Sequence, residues 1–285
     1  MRALMTKVAA GPDVLGIDVD VDGQVDDGAW TACRWQAARG LDGPPGILQG
    51  GLAAGVTASI ARLIDRFDAP LTGFDARLHA PTPLGTELTA RSRPSEGAAR
   101  YAVETWSGAA LLVSAEVELA GHDPAPAVAD LAELARVPLP PAEPQWEYPT
   151  CFVCGPAPTH PHGLHHYPRW QSSTSVVVPW VADEGFAHDG VIDPLLVSAV
   201  LDCPSVWAAI AHVRERGHVG ALLAGFNLRV FHDAPIMEPL RIVARMDSMD
   251  GRKIRSRAAL VDEDGLVYAL ASAFHVSVAE VPSFG

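Results

Sequence analysis

An eight-residue pattern is written twice in this chain. Leu71-Thr72-Gly73-Phe74-Asp75-Ala76-Arg77-Leu78 returns 152 residues later as Leu223-Ala224-Gly225-Phe226-Asn227-Leu228-Arg229-Val230, and Pro83 is matched at the same displacement by Pro235. An apolar, helix-like stretch lies upstream of each copy (46–65 and 190–212), and alternating segments joined by Gly turns lie downstream. One supersecondary unit therefore occurs twice. Function is expected where the two copies meet or where they differ.

A chain of 285 residues is long enough for two such units, each burying its own core. A formal net charge of −13 and a pI near 5.2 repel phosphate backbones and anionic lipid, so neither nucleic acid nor membrane is an expected partner. The start, Met1-Arg2-Ala3-Leu4-Met5-Thr6-Lys7, has no apolar core of signal-peptide length, and no stretch approaches an uncharged transmembrane span. A soluble, cytoplasmic protein is the expectation. Cys33, Cys151, Cys154 and Cys203 are too few and too scattered for a disulfide framework, which reads as reduced thiols.

Prolines at 124, 126, 138, 140, 141, 144 and 149 flank a short helix-competent run, Val128 to Arg136. That is linker chemistry. The domain reading is therefore 1–121, a linker over 122–149, and 150–285. In the first copy Leu48, Leu52, Val56, Ile60, Leu63 and Ile64 fall at helical spacing, and Asp65 and Asp68 mark the far end. In the second, Leu196, Val200, Val206, Trp207 and Ile210 make the equivalent stripe, with Pro204 expected to kink or restart the helix. The period then changes to two: Phe74, Ala76 and Leu78 in one copy and Leu240, Ile242, Ala244 and Met246 in the other mark strands with one face on a core. Asp250-Gly251 and Asp264-Gly265 read as hairpin turns, and Gly97 and Gly108 hold comparable places in the first copy. With strands also expected before each helix (14–20 and 175–181), each copy is an α+β unit, one long helix wrapped by an antiparallel sheet.

A helix entered through Gly-Gly and wrapped by an antiparallel sheet resembles the hotdog fold of acyl-CoA thioesterases and dehydratases, and two copies resemble a double hotdog. Many thioesterases of that superfamily carry His-Gly-Gly at the helix start and an acidic residue nine positions after the His. Here the first copy reads Gln49-Gly50-Gly51 with Ala58 nine positions on, and the second reads Asp193-Pro194-Leu195 with Asp202 nine positions on. Each copy keeps a different half of the motif. Cys151-Phe152-Val153-Cys154-Gly155 followed by Gly163-Leu164 is similar to the opening of some thioesterase-like hotdog proteins.

Hotdogs of this type pair their helices antiparallel, so the resemblance implies one composite site per chain, built from Gln49, Gly50 and Gly51 with Asp202. The reciprocal pairing of Pro194 with Ala58 would be inactive. Unpaired N–H groups at the first helix start would bind the thioester oxygen as it becomes an oxyanion, and Asp202 would activate water or attack the carbonyl. The blander readings stand beside these. Asp202 can be a helix-terminal residue ahead of Pro204, the glycines can serve close packing, and Gln49 can either orient a carbonyl or cap a backbone group.

Cys151 and Cys154 with His160, His162, His165 and His166 offer soft ligands, but there is no second Cys-x-x-Cys and no finger spacing, so a metal-free structural pair is expected. The run Arg252-Lys253-Ile254-Arg255-Ser256-Arg257 is the main basic cluster; Arg252, Lys253 and Arg255 are candidates for the coenzyme A phosphates, against the alternative of a solvated strand face. No nucleotide loop or nucleophile elbow is evident, and no cofactor is expected. The resulting reading is a thioesterase-like hydrolase of an acyl-CoA or acyl-carrier thioester, expected as a homo-oligomer through sheet-edge pairing. Its rivals are a non-catalytic binder of an acyl or other apolar ligand and a hotdog dehydratase or hydratase.

Overall fold

Alternating strands after each apolar helix leave one sheet face to be covered, and in the computed structural model each copy covers it with its own helix. The structure describes residues 7–9, 13–20, 25–26, 30–63, 69–97, 99–144, 147–188 and 190–281. The first copy comprises β1 (Lys7–Ala9), β2 (Ile17–Asp20), β3 (Val25–Asp26), β4 (Trp30–Ala37), α1 (Gly50–Ser59), β5 (Leu71–Leu78), β6 (Leu88–Pro94), β7 (Arg100–Ser107) and β8 (Ala110–Leu119). After the linker turn α2 (Ala129–Ala132) come β9 (Arg169–Ser172), β10 (Ser175–Trp180), β11 (Ala187–His188), β12 (Val191–Ile192), α3 (Pro194–Trp207), α4 (Ile210–Glu215), β13 (Gly220–Val230), β14 (Leu240–Asp250), β15 (Lys253–Val261) and β16 (Val267–Val278).

One antiparallel sheet of 14 strands runs through both copies in the order β1-β2-β4-β6-β7-β8-β5-β13-β16-β15-β14-β10-β9, with β3 beside β4. The two copies join where their shared pattern lies: β5 pairs with β13, and Asp75 stands opposite its own counterpart Asn227. The join is thus locally two-fold, and the counterpart rings of Phe74 and Phe226 meet at 6.1 Å. The expected Gly turns are present, with φ of +54° at Gly251 and +88° at Gly265. Before α1, Val14 belongs to a 3-10 turn and the strand begins at Ile17.

Beneath the sheet α1 and α3 pack antiparallel, Gly51 beside Ser198 and Gly55 beside Leu195. The approach leaves no space for a side chain on α1, since a Cβ on Gly51 would lie 2.3 Å from the Ser198 carbonyl oxygen. Ser198 Oγ donates to the Gly51 carbonyl at 2.7 Å across this contact. Gly51 therefore serves helix packing. We expect Gly51→Ala to destabilise the chain by at least about 2 kcal/mol, although alanine is the better helix former by about 1 kcal/mol. Urea unfolding measures it, and an unchanged midpoint would mean the helices can separate freely.

The apolar stripe expected on α1 is not one-sided. From Gly51 to Ser59 every residue is buried, because sheet and α3 enclose the helix on all sides. A 3-10 turn, Ile60–Leu63, follows, and Ile64, Asp65 and Asp68 lie outside the described residues. Pro204 does not restart the second helix: α3 runs through it to Trp207 and breaks at Ala208 and Ala209 instead. One missing amide is tolerated in a fully enclosed helix, and Ser205 Oγ donates to the Asp202 carbonyl at 2.6 Å within the same turn.

The linker is docked. Its Val128, Leu131, Leu134 and Ala135 form a separate apolar cluster with Val177, Val243, Ala259 and Val261 on the outer face of the second copy's sheet. Arg257 ties it down through Asp130 at 2.9 Å, while also holding Asp247.

Candidate active site

The sheet parts where the copies meet. β5 and β13 stay paired from Gly73↔Arg229 to Arg77↔Gly225 and then diverge. Between the diverging segments, Leu78 to Thr82 and Ala221 to Ala224, lies a cavity of about 260 Å³ that reaches the start of α1 and the middle of α3. Its walls are largely apolar, with Ile47, Leu48, Val206, Trp207 and Leu223 among them. Gln49, Asp202 and His275 provide polar groups at its inner end.

Asp202, only 6% exposed, is held from three sides. Its Oδ2 accepts from Gln49 Nε2 at 2.7 Å and from the Gly51 amide at 2.9 Å, and its Oδ1 accepts from His275 Nε2 at 3.0 Å. Gln49 is used at both ends: Oε1 caps α1 by accepting from the Leu52 amide at 2.8 Å, which turns Nε2 toward Asp202 and the Ala199 carbonyl. The start of a helix favours a negative group, and here that group is a carboxylate from the partner helix. A carboxylate oxygen accepts, so the His275 tautomer that fits this bond bears its hydrogen on Nε2 and its lone pair on Nδ1. That Nδ1 is buried and has no hydrogen-bond partner among the described residues. Among the described residues the Gly50 amide also makes no hydrogen bond, and Gly50 lines the cavity. A Cβ there would lie 2.8 Å from Leu223 Cβ and 3.0 Å from Asp202 Oδ2, so the position requires glycine.

No protein-family model matches the chain, and no curated protein matches it. Solved structures do. A protein of hot dog fold from Alicyclobacillus acidocaldarius aligns with a TM-score of 0.59 at 15% identity over 90% of this chain and 96% of that one. The fold is a hotdog. The acyl-CoA thioesterase II TesB2 of Mycobacterium marinum aligns with a TM-score of 0.59 at 12% identity, over 89% of this chain and 93% of that one. The dehydratase domain of a mycocerosic acid synthase-like polyketide synthase aligns equally well, with a TM-score of 0.59 at 13% identity over 99% and 100%.

Within this hotdog the sequence-derived candidates divide. Gln49, Gly50, Gly51 and Asp202 are brought together from both copies, though the Gly51 amide is occupied by Asp202, which leaves Gly50 alone to meet a ligand. Arg252, Lys253 and Arg255 do not line the cavity. They lie on and beside β15: Arg252 Nε donates to the Ser277 carbonyl at 2.9 Å, Lys253 stands opposite Val276, and the Arg255 guanidinium lies 5.2 Å from the Phe274 ring. At the reciprocal end a second cavity of about 220 Å³ is lined by Arg62, Pro194 and Val197, with Pro194 in the place of Gly50. Proline has no N–H to offer there. No helix among the described residues is long and apolar enough to cross a membrane.

Two features went unread in the sequence. His275 is one. The other is that Cys203 joins Cys151 and Cys154, whereas none of the four histidines considered with that pair does so. A polar residue in phase with Ala269, Ala271 and Ala273 on the buried face of β16 is the signal that would have found His275.

Proposed function

We propose that this chain is a double hotdog that hydrolyses an acyl-CoA or acyl-carrier thioester at one composite site, with the Asp202–His275 pair as its general base. The observation that carries the reading is that His275, its ring oriented by Asp202, and the Gly50 amide, which makes no hydrogen bond among the described residues, line one cavity. A thioester carbonyl placed at the Gly50 N–H would have its developing oxyanion stabilised by that donor and by the positive end of α1. His275 Nδ1, buried in the structure and reached by water once the cavity opens to it, takes a proton from that water as its oxygen bonds to the carbonyl carbon. Collapse then breaks the C–S bond, and the thiolate leaves with that proton. Asp202 keeps the ring in the tautomer that has the lone pair on Nδ1 and balances the imidazolium.

A carboxylate–histidine pair also suits a dehydratase, and a dehydratase domain shares the fold. Dehydration requires a base and a separate acid on the two sides of the substrate. Here the two groups are bonded to each other at 3.0 Å and act as one unit, which favours hydrolysis. The cavity is near the lower end of ligand-site volumes, so small acyl groups fit best. Incubation with acyl-CoA esters of short, aromatic and long acyl groups, with free thiol measured, is expected to show turnover of the short or aromatic members. Binding of several esters with no thiol release would establish the binder reading instead.

A further inference from the structure

We propose that Cys151, Cys154 and Cys203 form a soft-metal site, of which zinc is the expected occupant, with its fourth coordination position open to the acyl cavity. The three sulfurs lie within 4.8 Å of one another, all buried, and no His, Asp or Glu among the described residues joins them. Cys151 and Cys203 come from the two ends of a 52-residue separation, yet their sulfurs are 3.8 Å apart. With Zn–S bonds of about 2.3 Å, two ligands of a tetrahedral zinc lie about 3.8 Å from each other.

In the tight turn Cys151-Phe152-Val153-Cys154-Gly155, the Gly155 amide bonds back to the Cys151 carbonyl at 2.9 Å. Gln49 Nε2 stands 3.6 Å from Cys203 Sγ, and Trp207, whose buried indole N–H has no hydrogen-bond partner among the described residues, lines the same cavity. An N–H donor beside sulfur favours its negative form, and three thiolates at this spacing call for a cation. The turn itself is fixed: a Cβ on Gly155 would lie 2.5 Å from the Pro149 carbonyl oxygen.

All three cysteines line the same cavity as Asp202. Three protein ligands facing an open space is the form of a zinc site that exchanges its fourth ligand, unlike the closed four-ligand form of a structural site. The inference does not depend on the hydrolase reading, because it rests on the sulfurs and is tested without substrate.

The test uses the purified full chain, kept reduced, stripped of metal and titrated with Co²⁺ alone. Saturation at one ion per chain with intense sulfur-to-cobalt charge-transfer absorption, and bleaching on addition of Zn²⁺, is the expected result. Cys203→Ser and Cys154→Ser should each weaken binding by at least about 100-fold, since each removes one of three anionic ligands. Cys33→Ser, on β4, should leave it unchanged. Absence of the charge-transfer band in the wild-type chain, or a band that survives both serine variants, overturns the proposal. Should a serine variant fail to fold by circular dichroism, the wild-type titration decides alone.

Discussion

Asp202→Asn is expected to lower thiol release by at least about 100-fold while ligand affinity stays within a few-fold. The substitution keeps the size of the side chain and alters what it can accept. Gln49 Nε2 and the Gly51 amide both donate to one oxygen and His275 Nε2 donates to the other, so the native group must accept on both sides. Asparagine can accept on only one. Its amide nitrogen, turned toward His275, forces the proton of the ring from Nε2 to Nδ1 and removes the lone pair that would take the proton from water. His275→Gln should produce a comparable loss, because a glutamine nitrogen can still donate to Asp202 but brings no base. The readout is kcat against KM for the best ester in the panel. A loss confined to KM would mean the pair only binds, and full activity in either variant would remove it from the mechanism.

Why Asp202 was legible and His275 was not follows from how each is placed. Asp202 sits at a fixed spacing from a helix start, and the two helices meet antiparallel through small residues, so a pattern local to each copy carries across the interface. His275 reaches the same carboxylate from a strand 73 residues later in the chain, and its position depends on the β13–β16 register, including the shift between Leu223 and Gly225. No local spacing encodes that. The duplicated pattern was legible for a comparable reason: its two copies are hydrogen-bonded to each other, so one segment is selected twice for a single junction. Gly51 shows the opposite case. A glycine beside a cavity suggests ligand approach, yet its missing Cβ is required by the Ser198 carbonyl, and its amide is taken by Asp202. Cys203 lay inside a helix pattern where a small apolar residue is unremarked, and only the docking of the Cys151–Cys154 turn gives it company.

The chain is expected to lose stability on mild acidification through one residue remote from this chemistry. His166 is 3% exposed, neither ring nitrogen has a hydrogen-bond partner among the described residues, and its ring lies edge-on to Trp180 at 5.3 Å. Burial, followed by the nearby His165, pushes its pKa down to about 3 from the ordinary 6.5. In the unfolded chain the ring takes up a proton as the pH falls through about 6.5, while in the folded chain it stays neutral until about 3. Its contribution is therefore complete above the unfolded value and is lost progressively between those two pH values, to a total of up to about 5 kcal/mol. His166→Phe fills the same apolar site without a titrating group or unsatisfied nitrogens, so it should match or exceed the wild type at neutral pH and lose much less by pH 4. Urea midpoints for both proteins at a series of pH values measure the difference directly, with carboxylate effects common to the two cancelling. Parallel pH dependences would show that water or a partner reaches the ring in the folded chain, and that its burial does not control acid stability.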